Sequence, residues 1–230
     1  MEQNNEKNWE LSYDFDISKN FISSAIGQCR EHLSRYSHLL ENKVIFDIGS
    51  NLGYFSRVVA ESIPYKQIHL FEPCQKYHDE SKKLLSRFDN ISFSNVAVGS
   101  ENSKSTLYKD RTDSNPGWNT LLKRDPMQAE GFYNNLIPEE VSVVRLDDFY
   151  KDVERVDFIK IDVEGWERHV LEGAFEIIKK HKPYLLIEVA WGYNHPEWSL
   201  CEETYKKLFD IGYKNVQFSY NTQDILFEPI

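Results

Sequence analysis

Cysteine is scarce in this chain of 230 residues, which contains only three. Cys29, Cys74 and Cys201 lie far apart, cannot all pair with one another and show no Cys-x-x-Cys spacing, so neither a disulfide scaffold nor a cysteine metal centre is expected. This usage is typical of a reducing compartment, and we expect a cytoplasmic location.

Long apolar runs are also missing. No segment approaches the roughly 18 uninterrupted apolar residues that a membrane-spanning helix needs. Residues 1–16 are polar and acidic, whereas a secretory signal begins with basic residues followed by an apolar run. The sequence therefore predicts neither a signal peptide nor stable insertion into a membrane.

Positive charge is in deficit, with 27 Lys and Arg against 37 Asp and Glu and a formal net charge of −10. The sequence contains no basic stripe. Because proteins bind polyanionic backbones through clustered Lys and Arg, nucleic acid is not an expected partner. The sequence does not define an oligomeric state.

What the sequence does contain is a regular alternation of strand and helix patterns. Residues 1–17 predict a loose arm and 18–40 helical structure, so we divide the chain into an N-terminal part, 1–40, and one main domain, 41–230. The predicted strands are Val44–Gly49, Gln67–Pro73, Ile91–Val98, Val141–Leu146, Val156–Asp162, Pro183–Ala190 and a terminal pair over 213–220 and 224–229; the predicted helices are Tyr54–Ser62, Gln75–Phe88, Gly165–His181 and Cys201–Ile211. Such alternation predicts a largely parallel sheet covered by helices on both faces.

The segment from Gly99 to about Glu140 interrupts this alternation. Prolines and glycines punctuate it around one short predicted strand, Ser105–Tyr108. Insertions of this length in a domain are usually functional or mobile, and we expect this one to border a site or to close over it.

A glycine loop, Asp47-Ile48-Gly49-Ser50-Asn51-Leu52-Gly53, joins the first predicted strand to its helix. In an open α/β sheet this turn borders the ligand cleft, and its glycines are expected to let the backbone approach a ligand. Dinucleotide enzymes favour Gly-x-Gly-x-x-Gly, in which glycines admit a pyrophosphate. Here Asp47 can receive an ammonium and Asn51 replaces a glycine, so the loop favours S-adenosylmethionine, which has an ammonium and no phosphate.

Two further positions complete the predicted cofactor site. Glu72 ends the second predicted strand, where an acid commonly bonds a ribose diol, a feature that fits NAD as well as S-adenosylmethionine. The stretch Ser94–Ala97 ends the third predicted strand and is expected beside the adenine. The residues assigned to the cofactor are Asp47, Gly49, Ser50, Asn51, Gly53, Phe55, Glu72, Pro73, Asn95 and Ala97.

Several of these stretches together resemble the FkbM-type methyltransferases. The resemblance rests on Phe46–Phe55, Leu70–Pro73, the run LDDFYKDVERVDFIKIDVEGWERHVLEGA (Leu146–Ala174) and the PYLLIEVA strand, and it covers Val44–Ala190. It implies a Rossmann-like methyltransferase fold with a mostly parallel seven-stranded sheet, helices on both faces and an antiparallel terminal strand. It also implies S-adenosylmethionine as donor and, most often, a hydroxyl acceptor on a sugar or a secondary metabolite. We therefore expect a small-molecule or glycan acceptor.

Methylation of a hydroxyl requires its proton to leave, so we looked for a base at the carboxyl ends of the strands. Asp162 is the first choice, Glu188 lies near the end of the next strand, and His195 follows it in a loop. Lys160 falls on the same strand face as Asp162 and is expected to pair with it. Asp162 and Glu188 together are a candidate carboxylate pair for Mg²⁺, but the sequence commits to no metal ligand.

Three alternatives remain at this stage. The acceptor atom could be an amine nitrogen or a carboxylate of a small metabolite, for which a base such as His195 would matter less. A nicotinamide-dependent oxidoreductase is compatible with Glu72 but disfavoured by the glycine loop. A catalytically silent cofactor-binding domain is the third, and the acidic strand ends argue against it.

Overall fold

The computed structural model describes residues 19–111, 116–122, 136–188, 196–216 and 224–230. The helices are α1 (Lys19–Leu40), α2 (Tyr54–Ser62), α3 (Gln75–Leu85), α4 (Leu146–Phe149), α5 (Glu167–Gly173), α6 (Phe175–His181) and α7 (Pro196–Asp210). The strands are β1 (Val44–Ile48), β2 (Gln67–Phe71), β3 (Ile91–Ser94), β4 (Ala97–Val98), β5 (Ser103–Asp110), β6 (Leu136–Val144), β7 (Phe158–Ile161), β8 (Tyr184–Glu188), β9 (Tyr213–Val216) and β10 (Asp224–Pro229). Among these elements, no helix is long and apolar enough to cross a membrane.

Seven strands form the main sheet, in the order β3-β2-β1-β7-β8-β10-β9. The pairs from β3 through β8 are parallel, and β10 is antiparallel to both of its neighbours, β8 and β9. The predicted fold, a mostly parallel seven-stranded sheet with an antiparallel terminal strand, is therefore confirmed. The strand order reverses beside β1, which places the glycine loop at the switch point where ligands bind in such sheets.

Strand alternation divides the core into two layers. On β1, Phe46 and Ile48 pack in a cluster with residues of α5, α6 and α7, whereas Ile45 packs in a second cluster with α1, α2 and α3. Successive side chains of a strand point to opposite faces, so Asp47 lies on the same face as Ile45. The helices α1, α2 and α3 therefore cover the sheet face that carries Asp47.

A separate three-stranded sheet, β4-β6-β5, replaces the predicted insertion and part of the predicted third strand. The expected strand Ile91–Val98 was wrong in its extent, because only β3 joins the main sheet and β4 pairs with β6. Asn95 explains the break: its Nδ2 donates to the carbonyls of Glu72 and Pro73, which turns the chain away from β2. The expected short strand Ser105–Tyr108 is the middle of a longer one, β5, paired along its length with β6.

The single predicted helix Gly165–His181 is in fact two helices, α5 and α6. The carboxylate of Asp147 accepts the backbone N–H groups of Glu176 and Ile177, at 3.2 and 2.9 Å, and so caps the start of α6. A side chain from a distant part of the chain thus supplies the helix start, which a local pattern does not reveal. The predicted arm, residues 1–17, lies outside the described residues.

Candidate functional site

A cavity of about 690 Å³ opens at the carboxyl edge of the main sheet. Its wall is built from the glycine loop after β1, the ends of β2, β7 and β8, one face of α1, and residues from the smaller sheet and from Gly117 to Leu121. Five wall residues carry a buried polar atom that has no hydrogen-bond partner within the described part of the chain: His32 Nδ1, Ser50 Oγ, Asn119 Nδ2, Trp166 Nε1 and Glu188 Oε2. Buried polar atoms are normally paired, so their convergence here indicates a ligand site.

The glycine loop is held in a left-handed conformation at Gly49, Asn51 and Gly53, with φ values of 76°, 51° and 80°. The predicted tight bend is therefore present, and a Cβ on either glycine would meet other parts of the protein. A Cβ on Gly49 would lie 1.8 Å from the carbonyl oxygen of Asp162, and one on Gly53 would meet the Cβ of Ser81 at 3.1 Å. The two glycines let the loop press against the end of β7 and against α3.

Glu72 lies at the end of β2 and is 6% exposed in the cavity wall. Its Oε2 accepts the backbone N–H of Asn51 and its Oε1 that of Cys74, both at 2.8 Å. Burial raises the pKa of Glu72 to about 7, although these two hydrogen bonds oppose the shift. A buried carboxylate fixed at the glycine loop is well placed to accept hydrogen bonds from a diol.

Lys160 is a buried cation beneath the cavity, with a side chain 8% exposed. Its Nζ donates to Asp162 Oδ2 at 2.6 Å, so the expected ion pair is present, and the parallel register sets Lys160 directly beside Asp47. Desolvation opposes its charge, but the carboxylates of Asp162 and Asp47 leave the pKa of Lys160 raised. Asp47 is fully buried, and burial raises its pKa despite Lys160 and the hydroxyl of Ser56, which donates to Oδ2 at 2.6 Å.

Asp162 and Glu188 form a carboxyl pair whose pKa values are shifted in opposite directions. Desolvation works against the charge of Asp162, but Lys160 and a hydrogen bond from Glu188 keep its pKa below the ordinary value. The charge of Asp162, followed by desolvation, raises the pKa of Glu188 well above its ordinary value. These opposite shifts favour an ionised Asp162 and a Glu188 that donates a hydrogen bond to it. Glu164 adds a third carboxylate, and an oxygen from each of the three residues lies within 4.8 Å of the others.

Helix α1 contributes a wall that the sequence did not predict. Ser24, Gln28 and His32 recur every fourth residue on one face of α1, and all three line the cavity. The Nε2 of His32 lies 2.8 Å from Oδ2 of Asp224, and the two side chains are 14% and 18% exposed. Asp224, the first residue of β10, is the register partner of Glu188. The pair of His32 and Asp224 therefore connects α1 to the acidic end of the cavity, which is formed by Asp162, Glu164 and Glu188.

The structure brings most of the predicted site residues to this one cavity. Seven of the ten residues assigned to the cofactor line it: Gly49, Ser50, Asn51, Phe55, Glu72, Pro73 and Ala97. Asp47 and Gly53 lie behind the glycine loop, and Asn95 bonds the chain behind Glu72 rather than lining the described wall. Of the predicted catalytic residues, Asp162 and Glu188 line the cavity, whereas His195 lies outside the described residues.

We expect Lys160→Met to destabilise the protein by about 3 kcal/mol, because it leaves the buried Asp47 and its neighbour Asp162 without a cation. Unpaired buried carboxylates have raised pKa values, so the folded variant should hold protons that the unfolded chain has released. Its stability deficit should then grow as the pH rises from 5 to 8. Urea unfolding at several pH values measures this, and Lys160→Met combined with Asp47→Asn should recover part of the loss. A deficit that is independent of pH would contradict the ionic role of Lys160.

Comparison with known proteins gives a family match and two similar methyltransferases. A sequence model described as the methyltransferase FkbM domain matches residues 47–214. "Methyltransferase sdnD" of Sordaria araneosa is 29% identical over an alignment of 170 residues, which covers 64% of this chain and 66% of that protein. "2-O-methyltransferase NoeI" of Sinorhizobium fredii is 27% identical over an alignment of 144 residues, which covers 60% of this chain and 59% of that protein. The chain thus spans less than two thirds of the length of either relative.

A solved structure agrees with these matches at the level of the fold. The crystal structure of methyltransferase FkbM from Methylobacillus flagellatus superposes with a TM-score of 0.53 at 16% identity, covering 92% of this chain and 55% of that one. At this identity the likeness concerns the arrangement of the elements alone.

Proposed function

The chain belongs to the FkbM methyltransferase family, and from that premise we propose that it transfers a methyl group from S-adenosylmethionine to a hydroxyl oxygen of a sugar or glycosylated metabolite. The observation that carries this proposal is the shared cavity of Glu72 and Asp162, since a diol-binding acid and an ionised base line one space. The name of the relative NoeI, a 2-O-methyltransferase, supports a hydroxyl acceptor.

The residues around the glycine loop fit the methyl donor. Glu72 offers a fixed carboxylate to a ribose diol, and the loop from Gly49 to Asn51 borders the same space. Ala97 supplies an apolar wall of the kind that an adenine ring packs against. The donor, when bound, supplies an electrophilic methyl carbon.

On the acceptor side we assign the base to Asp162. Its carboxylate is ionised and its side chain is 36% exposed, so one oxygen can bond Lys160 while the carboxylate still faces the cavity. The acceptor hydroxyl would donate its proton to Asp162, and that transfer neutralises the carboxylate beside Glu188, whose own pKa is raised. The main task of the chain is then to hold the acceptor oxygen in line with the methyl carbon.

Calorimetric titration with S-adenosylhomocysteine and, separately, with NAD tests the proposal, each with and without Mg²⁺. We expect binding of S-adenosylhomocysteine alone, followed by transfer of a tritiated methyl group to a sugar in an acceptor screen. Oxygen ligands suit Mg²⁺, so any requirement of the acid cluster for this ion would appear in the same titrations. Binding of NAD alone would overturn the cofactor assignment, and transfer to amines or carboxylates alone would overturn the acceptor assignment.

The affinity for S-adenosylhomocysteine should rise about tenfold between pH 6 and pH 8. Glu72 has a pKa of about 7 in the ligand-free protein, and only its ionised form accepts the hydrogen bonds of a diol with both oxygens. Glu72→Gln should bind weakly with little dependence on pH in calorimetric titration.

Glu167 provides the matched control for this titration. Burial also raises its pKa to about 7, but Glu167 bonds the N–H of Gly165 and does not line the described cavity wall. Glu167→Gln should therefore keep the pH dependence of the parent. Loss of the dependence in this variant, or its survival in Glu72→Gln, would remove the assignment of the ribose to Glu72.

A further inference from the structure

We propose that the face of α1 formed by Ser24, Gln28 and His32, the α1 polar face, is the acceptor-binding wall, and that it selects an uncharged, hydroxyl-bearing acceptor over an anionic one. The inference rests on the proposed function and adds to it the residues that choose the acceptor.

The first argument is the position of the α1 polar face. Asp47 and Lys160 are register partners on β1 and β7, and Glu188 and Asp224 are register partners on the neighbouring strands β8 and β10. They share the sheet face of Ile45 and Leu186, which pack in the cluster that includes residues of α1. The α1 polar face therefore lies over the sheet face that carries these ionisable side chains, and it lines the same cavity as the proposed base, Asp162, which is paired with Lys160.

The second argument is hydrogen-bonding capacity. Gln28 and Ser24 are exposed at the cavity and can both donate and accept, as sugar hydroxyls do. His32 is deeper and is fixed by Asp224, and its other ring nitrogen, Nδ1, has no hydrogen-bond partner among the described residues. A polar face with unused hydrogen-bonding groups matches an acceptor that carries several hydroxyls.

The third argument is charge. The described wall includes Glu72, Asp162, Glu164 and Glu188 but no arginine, and its one lysine, Lys160, is held by Asp162. A carboxylate or phosphate on the acceptor would lie near the negative charge of Asp162 and Glu164, and the described wall offers it no lysine or arginine other than Lys160. In a partly enclosed cavity such repulsion is costly, so anionic acceptors are disfavoured.

Saturation-transfer NMR on the full chain, loaded with S-adenosylhomocysteine, tests the proposal with methyl β-glucoside and methyl β-glucuronide, which differ in the carboxylate. We expect signal transfer to the glucoside and about tenfold less to the glucuronide. Gln28→Ala and His32→Gln should each reduce the glucoside signal about tenfold, the effect of one or two lost hydrogen bonds. Their affinity for S-adenosylhomocysteine should stay within about twofold of the parent because no α1 residue is assigned to the donor.

Two matched variants control for general effects of substitution. His38→Gln changes an exposed histidine of the same helix and Gln75→Ala an exposed helical glutamine, and neither residue lines the described cavity wall. Both should retain the glucoside signal. Equal signals from the two glycosides, no signal from either, or a full signal in both α1 variants would overturn the proposal. Failure to bind S-adenosylhomocysteine at the outset would instead overturn the proposed function, on which the α1 assignment rests.

Discussion

Replacing Gly49 with alanine should destabilise the protein by more than about 5 kcal/mol and abolish binding of S-adenosylhomocysteine. The new Cβ would lie 1.8 Å from the carbonyl oxygen of Asp162, and backbone hydrogen bonds hold both residues at the ends of the parallel strands. The φ of 76° adds a strain that an L-residue meets in the left-handed region. Neither the clash nor the strain can be relieved without separating the glycine loop from β7. Urea unfolding and calorimetry measure the two effects.

Gly27→Ala is the matched control on α1. A Cβ at Gly27 would meet nothing within 4 Å, and alanine is favoured over glycine in a helix by about 1 kcal/mol. This variant should be slightly more stable than the parent and should bind S-adenosylhomocysteine equally well. A Gly49→Ala protein with parental stability would show that the loop does not lie against Asp162.

Asp162→Asn should lower the rate of methyl transfer about 100-fold or more while leaving the affinity for S-adenosylhomocysteine nearly unchanged. An amide cannot accept the hydroxyl proton, and Asp162 is the member of the carboxyl pair that is kept ionised. Tritiated methyl transfer to the acceptors found in the sugar screen measures the rate. Glu188→Gln, which leaves the Asp162 carboxylate in place, should cost much less.

The same substitution has a second consequence that needs no acceptor. The charge of Asp162 is the main cause of the raised pKa of Glu188, so Asp162→Asn should bring the pKa of Glu188 down toward its ordinary value. A carbon-13 NMR titration of the Glu188 carboxyl group measures this shift. An unmoved pKa would contradict the pairing, and an unchanged rate of transfer would place the base at Glu188, at His195 or elsewhere.

Local sequence patterns were sufficient to predict features that lie within a single strand or loop. The apolar runs of β1, β2, β7 and β8 predicted buried strands, and the glycine loop and the strand-end acids predicted the edge of the sheet at which the cavity opens. Alternation on a single strand was also enough to predict the pair of Lys160 and Asp162. These features follow from the regular repeat of side-chain direction along a strand or helix, and the order of apolar and polar residues in the sequence shows that repeat.

Features that join distant segments were missed or mistaken. The end of β3 depends on Asn95 reaching the carbonyls of β2, and the start of α6 depends on Asp147. The polar face of α1 was visible as a spacing of four, but the spacing alone does not distinguish a solvated helix face from a cavity wall. Nor could the sequence show that Asp224, at the start of an antiparallel strand, reaches the edge where the parallel strands end.

The sequence by itself determined the class of fold, the family, and which loop and strand ends border the cavity, because the strand and helix periods and the glycine loop are local properties. The tertiary structure decided that Gly49 makes room for Asp162, that Asp47 lies behind the loop beside Lys160, and that α1 and Asp224 complete the acidic end. These outcomes depend on register and on contacts between segments far apart in the chain. Burial and proximity, which set the opposite pKa shifts of Asp162 and Glu188, arise only when those segments meet.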